Sequence, residues 1–335
     1  MAKTRLTLSR AADGCILYKS ATGCSEHTIT DYRYAYRKLL THFDPQTPIA
    51  DITRDQLIQF LAWLQHKHIA HPAGGVAPRP PRKLAPKSVY NIHVACSALW
   101  QWALDEGYVQ TNHLRDIDPP KFEPPAIEPF TKDQIQALLK SAAWSRAWHN
   151  RPSVRNRRPT ADRDQAILLL LLDTGIRRSE LCRLTVADLD LSTNAVHIRG
   201  KGRGRDHKER ICYFGKSTAR HLWRYLTPRV QNDTARDADP LFVVGPDDAP
   251  RPLRPNHLRL TLKRIGDRAG ISDVHPHRFR HTFAITYLRN NGDPWTLQRL
   301  LGHSTLEMVK RYLRLVQSDC ADAHRRASPV DNWRL

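Results

Sequence analysis

The chain has 335 residues, with 53 Lys plus Arg against 33 Asp plus Glu, a formal net charge of +20. That length suits two domains better than one core, and the cationic excess points to a polyanion such as DNA, because each Lys or Arg that meets a phosphate releases condensed counterions. No apolar run reaches the roughly 20 residues that span a bilayer, and the charged start has no apolar stretch behind it, which argues against a membrane protein or a secretory signal.

Residues 1–21 read as an N-terminal extension. Six scattered cysteines without CxxC spacing suggest reduced thiols in the cytoplasm, and Cys15, Cys24 and His27 offer three candidate metal ligands without a fourth nearby. From 22 to 117 the pattern predicts a helical domain. Its periodic runs "TITDYRYAYRKLLTHF", "TRDQLIQFLAWLQHK" and "APKSVYNIHVACSALWQWALDEG" follow Thr or Pro start signals. Between the last two lies "HPAGGVAPRPPRKLAPK", too rich in Pro and Gly to be helical. It carries Arg79, Arg82, Lys83 and Lys87, so it reads either as a solvated loop or as one that touches a phosphate backbone. Residues 118–129 form a stiff, proline-rich linker.

A second domain is predicted over 130–317, followed by a tail over 318–335. It opens with a helix, "TKDQIQALLKSAAW". Residues 145–163 then hold six arginines, Arg155 among them, and one acid: either a disordered basic insertion or a backbone contact. "AILLLLL" at 166–172 is short enough to be one buried helix. After "DTGIRRSEL", the segments "AVHIRG" and "ERICYF" predict a hairpin over 195–214, with Lys201, Arg203, Arg205 and Lys208 crowding its turn. The fold class is therefore mainly α with a small antiparallel hairpin or sheet in the C-terminal domain.

Breaking a phosphodiester requires charge for the nonbridging oxygens, a nucleophile and a proton for the leaving oxygen. The acids do not cluster as a two-metal site needs, so a cation-based site fits better. Gly175 turns the chain after a buried helix and sets Arg177 at the start of the next, where it reads equally well as a surface arginine. In "HPHRFRHTFAITYL", Pro276 starts a helix whose i, i+3 spacing puts His277 and Arg280 on one face, with Phe279, Phe283 and Tyr287 on another. His277 and His281, four apart, could be a metal pair, but no nearby acid completes it. In "LLGHSTLEMVKRYLRL", Ser304 and Glu307 form a capping box, and Leu306, Val309, Leu313 and Val316 form a buried stripe. His303 and Tyr312 are left over, and Tyr312 alone would pass for a core residue. A phenol with a pKa near 10 is a poor nucleophile, but neighbouring cations favour phenolate.

The segments "DTGIRRSEL", "IRGKGRGRDHKERICYF", "HPHRFRHTFAITYLRNNG" and "LLGHSTLEMVKRYLRL" together resemble the four catalytic segments of the tyrosine recombinases, the phage-integrase and Xer-like family. They stand in the family's order at similar intervals, and the upstream helices resemble its core-binding domain. The resemblance spans residues 22 to 317 or so and implies the two-domain recombinase architecture. It implies that Arg177 and Arg280 clamp the scissile phosphate and that His303 hydrogen-bonds a phosphate oxygen. His277 would assist proton transfer as acceptor of the tyrosine's proton, and Lys201 would protonate the leaving 5′ oxygen. Tyr312 would attack, leaving a 3′-phosphotyrosine link without metal, ATP or other cofactor. The implied partner is double-stranded DNA, bound by a homotetramer that is a monomer when free, with a directionality factor as a possible accessory. Lys83, Lys87, Arg155, Arg203 and Arg205 are the candidate DNA contacts. The tail could dock on a neighbouring protomer or be disordered. Phe279, Ile285 and the 145–163 insertion depart from the family pattern. Two other readings of the scaffold are an accessory DNA-binding protein without catalysis and a type IB topoisomerase-like enzyme.

Overall fold

The computed structural model describes residues 5–70, 82–123, 128–146, 155–200, 209–233, 235–245, 249–303, 305–313, 315, 324–325 and 328–333. The chain divides into two units, Met1–Pro125 and Ala126–Leu335. Each has its own hydrophobic core.

Four helices build the first unit: α1 (Leu8–Ala21), α2 (Glu26–His42), α3 (Arg54–His66) and α4 (Pro86–Asp105). Their starts follow local chemistry. Thr7, Ser25 and Thr53 accept from backbone N–H groups in the first turns of α1, α2 and α3, Thr53 and Gln56 close a capping box, and Pro86 occupies the first turn of α4. The segment expected as an extension is largely helix α1. Its Leu8, Ala11 and Cys15 join Leu39, Phe60 and Trp100 in one core, because these small and apolar residues recur on a single helical face. The basic loop also differs from a plain loop at its ends: β1 (Ile69–Ala70) pairs antiparallel with β2 (Arg82–Lys83). Lys83 is exposed there, and the Lys87 ammonium sits over the Tyr90 and Phe122 rings at 4.5 and 4.4 Å. Residues 71–81, Arg79 among them, lie outside the described residues.

The second unit begins with α5 (Lys132–Ala143) and α6 (Ala161–Thr174). The apolar run becomes α6 and is buried at Ala166, Ile167, Leu168, Leu170 and Leu171, as a helix apolar on most sides must be. Between the two helices the insertion closes on itself: Ser145 N–H donates to Asn156 O at 2.9 Å, and Arg158 N–H to Ala143 O at 2.8 Å. Arg157 pairs with Asp162 and Arg163 with Asp164, so two cations of the stretch serve internal ion pairs, while Arg155 is exposed. After the one-turn helix α7 (Arg178–Leu181), β3 (Leu189–Asp190), β4 (Ala195–Ile198) and β5 (Arg210–Tyr213) form an antiparallel sheet in that order. Val196 faces Cys212 on its buried side, whereas His197 and Ile211 face out, the period-2 alternation of a strand pair with one wet face.

Helix α8 (Lys216–Gln231) packs on α6, and its start is tied there by Asp173, whose Oδ2 accepts from Gly215 N–H at 2.6 Å and the Thr218 hydroxyl at 2.8 Å. The short pair β6 (Val243–Val244) and β7 (Arg251–Pro252) precedes α9 (Pro255–Ala269), α10 (Pro276–Arg289), α11 (Pro294–Leu301) and α12 (Glu307–Leu313). Phe279 does not share a face with Phe283 and Tyr287 as expected. It packs against Phe130 at 4.8 Å in the main core, while Phe283 and Tyr287 border a smaller core made by α10, α11 and α12. Among the described residues no helix is long and apolar enough to cross a membrane.

Candidate active site

Two glycines let three helix ends converge. Gly175 closes α6 at φ +59°, and a Cβ there would lie 2.5 Å from Phe283 Cδ1. Gly302 closes α11 at φ +62°. Both need the left-handed conformation that glycine adopts without steric cost.

The last carbonyls of α11 then become anchors. Leu300 O accepts from Arg210 Nε at 2.6 Å, Leu301 O from Arg280 Nη2 at 2.7 Å, and Gly302 O from Arg177 Nη2 at 2.9 Å. The negative end of a helix dipole suits three guanidiniums. Arg280 also donates to Gly175 O at 2.8 Å, so one side chain ties the ends of α6 and α11 to α10.

Like charges this close need a counter-charge, and Glu180 supplies it. Its carboxylate accepts from Arg177 Nη1 at 2.9 Å, from Arg210 Nη2 at 2.8 Å and from the Arg177 backbone N–H at 2.7 Å. Burial pushes the carboxyl up, but Arg210 and then Arg177 outweigh it and hold its pKa at about 2. Burial, reinforced by Arg177, lowers the Arg280 pKa to about 10. Neither Glu180 nor Arg210 stood out in the sequence. The signal for Glu180 was its place three residues after Arg177, the spacing of a capping box; Arg210 had none beyond lying on the hairpin.

His303 follows Gly302, and its Nε2 lies 2.7 Å from Arg280 Nη2. A guanidinium only donates, so Nε2 accepts and the proton sits on Nδ1, a buried donor with no hydrogen-bond partner among the described residues. Burial, then Arg280 and Arg177, hold this imidazole at about 4, so it is neutral.

Tyr312 is buried, on the core-facing side of α12 with Val309. Its ring lies 6.5 Å from that of His303 at an interplanar angle of 9°. Burial pushes its phenol above the ordinary value, against the pull of Arg280, Arg311 and Arg177. The cations do favour phenolate, as expected, but at 4% exposure desolvation outweighs them. The Tyr312 hydroxyl is 2.9 Å from Nδ1 of His281. Among the described residues His277 makes no hydrogen bond to Tyr312; its ring lies 6.4 Å from that of His281, one turn earlier. Its pKa is lowered by burial and then by Arg280.

Arg177, Arg280, His277, His303 and Tyr312 thus meet in one cluster at the ends of α6, α10 and α11. Lys201, Arg203 and Arg205 lie outside the described residues, as does Ser304 of the expected capping box. Lys83 and Lys87 belong to the first unit, and Arg155 lies at the far end of α6, a 14-residue helix about 21 Å long. Among the described residues no group of three or more His, Cys, Asp or Glu side chains could hold a metal ion.

A buried tyrosine set against histidines and arginines in a mainly helical unit fits the tyrosine recombinase class that the four motifs resemble. Residues 129–318 match the phage integrase family, and the chain belongs to it. The tyrosine recombinase XerC of Mycobacterium sp. strain JLS is 29% identical over 92% of this chain and 94% of its own length. XerA of Thermococcus onnurineus is 28% identical over 72% of this chain and 76% of its own length. The fold is shared with the Tn1549 transposon integrase solved with a circular intermediate DNA, at TM-score 0.67 and 18% identity, covering 92% of this chain and 94% of that one. It is also shared with a lambda integrase dimer bound to a COC′ core site, at TM-score 0.64 and 17% identity, covering 90% and 97%.

Proposed function

We propose that this recombinase is site-specific, cutting and rejoining double-stranded DNA through a 3′-phosphotyrosine link formed by Tyr312. The observation that carries the reading is the seating of the Tyr312 phenol within the cluster of Arg177, Arg280, His277 and His303. Arg177 and Arg280 clamp the scissile phosphate. Arg177 is the more open of the two, with 36% of its side chain exposed against 4% for the Arg280 residue. The Nδ1–H of His303 donates to a phosphate oxygen, and His277 assists proton transfer. Lys201 protonates the leaving 5′ oxygen. The covalent link keeps the energy of the broken bond, so a second DNA end reverses the step.

The DNA named with the Tn1549 and lambda integrase structures supports a duplex as partner. We extend the reading to a synaptic homotetramer, monomeric when free, acting on nucleoid DNA in the cytoplasm with a directionality factor as an accessory. Lys83, Lys87, Arg155, Arg203 and Arg205 add phosphate contacts.

The test uses a duplex that the protein selects from random-sequence DNA, nicked at successive positions so that cleavage traps the adduct. The wild type should give a detergent-stable protein–DNA adduct whose peptide maps to Tyr312, and Tyr312→Phe should give none. A wild type that binds but never forms an adduct would establish an accessory DNA-binding protein instead, and relaxation of plasmids lacking the selected site would establish a topoisomerase.

A further inference from the structure

We infer that His281, and not His277, accepts the proton of the Tyr312 hydroxyl as the tyrosine attacks. The inference rests on the proposed role of Tyr312 and adds a catalytic residue to it.

The geometry is direct. Nδ1 of His281 is 2.9 Å from the Tyr312 hydroxyl, within the reach required of a general base, and the two rings lie 5.6 Å apart, tilted by 54°. Helical spacing explains why the later histidine meets the tyrosine. Residues four apart share a face, so His277 and His281 stand one above the other on α10, and α12 packs its Tyr312 against the second of them.

The protonation states fit. Groups facing His281 are His275, His277 and Arg280 from α10 and its start, Arg311 and Tyr312 from α12, and His303 between α11 and α12. Burial, then His277, Arg311, His275 and Arg280, hold the His281 pKa at about 4, so at neutral pH its ring is uncharged and has one nitrogen lone pair. Burial keeps Tyr312 a phenol, a donor. In the tautomer this role requires, Nε2 carries the ring proton, Nδ1 accepts and the phenol donates.

In the step, the Tyr312 O–H bond breaks with its electron pair left on oxygen, and the proton moves to Nδ1, giving an imidazolium. The oxygen forms its bond to phosphorus while the bond from phosphorus to the 5′ oxygen breaks, and that oxygen takes a proton from a separate acid. Rejoining runs the same transfers backwards. A base held at about 4 would be weak in the free protein. A phosphodiester docked among the arginines offsets the cations that face His281, and the charge gathering on phosphorus offsets them further. Basicity thus rises when DNA arrives.

His281→Asn separates holding from proton transfer, since the amide oxygen can accept the phenol's hydrogen bond but cannot take its proton. Cleavage is followed under single-turnover conditions on the nicked duplex, with thermal unfolding as a check on folding. His281→Asn should cleave about 100-fold more slowly than wild type and lose the acid limb of the pH–rate profile. His281→Ala should be at least as slow, and added imidazole should restore part of its rate. A duplex with sulfur in place of the bridging 5′ oxygen needs no acid for its leaving group. His281→Asn should stay slow on it, whereas a variant lacking the leaving-group acid should recover.

Adduct formation at Tyr312 within threefold of wild type in both His281 variants would overturn the inference, as would recovery of His281→Asn on the sulfur duplex. A wild type with no adduct at Tyr312 would defeat the underlying reading instead, so the two failures are distinct.

Discussion

The arginine end and the tyrosine end of the same site are held in different ways. Arg177, Arg210 and Arg280 are each fixed by two or more acceptors, rooted in helix ends and in buried Glu180, and α6 and the sheet beneath them belong to the main core of the second unit. Tyr312 stands on a seven-residue helix in a satellite core, with one side-chain hydrogen bond among the described residues, to His281. The difference fits what each end would do in the proposed reaction. Clustered guanidiniums repel one another, so they need a counter-charge and acceptors held in a rigid frame. A nucleophile must travel to phosphorus and needs only its roll and its base.

The largest effect should come from removing the shared counter-charge. Glu180→Ala leaves Arg210 buried and unpaired and should cost about 3–5 kcal/mol by urea unfolding; a loss below about 1 kcal/mol would mean the frame does not depend on it. Arg177→Ala, which removes a proposed phosphate clamp while leaving Arg210 paired with Glu180, should slow adduct formation about 100-fold on the nicked duplex, and an unchanged rate would contradict the proposed role. Gly302→Ala tests the carbonyl anchor. Its left-handed backbone and the Arg210 Nη1 atom 3.0 Å from the new Cβ should together cost about 1–2 kcal/mol, read as a lowered urea midpoint.

Acid should loosen the tyrosine end next. His281 and His303 are held at about 4 against an ordinary 6.5, so between those values the unfolded chain binds protons that the folded protein refuses. Stability is then full above about pH 6.5 and falls as the pH is lowered toward 4. The thermal midpoint of the wild type should drop across that window more steeply than that of His281→Asn, and identical slopes would refute the assignment. The smallest effect is on stability at Tyr312 itself. Tyr312→Phe deletes a single hydrogen bond and should change unfolding free energy by about 1 kcal/mol; a cost as large as that of Glu180→Ala would erase the contrast between the two ends.

Much of this molecule was legible before any coordinates. The helices around Leu39, Phe60 and Trp100 follow from periodicity and start residues, the hairpin from alternation, and the two ends of the site from four motifs in order. Local rules failed where a side chain's partner is distant in sequence. Helix α1 looked like an extension because its core contacts are with later helices. Glu180 and Arg210 passed unnoticed because an ion pair across 30 residues leaves no spacing to read. His277 and His281 sit on the same stripe of one helix, and only the packing of α12 distinguishes them.

The chain by itself determined which residue types were available, which helices they stand on and how those helices roll, because these depend on neighbours within a turn or two. Tertiary structure alone decided that three arginines end on the carbonyls of Leu300, Leu301 and Gly302, that burial raises the Tyr312 pKa against the pull of its cations, and that its hydroxyl meets His281. Those outcomes depend on desolvation and on contacts between elements up to 125 residues apart, which no local pattern encodes.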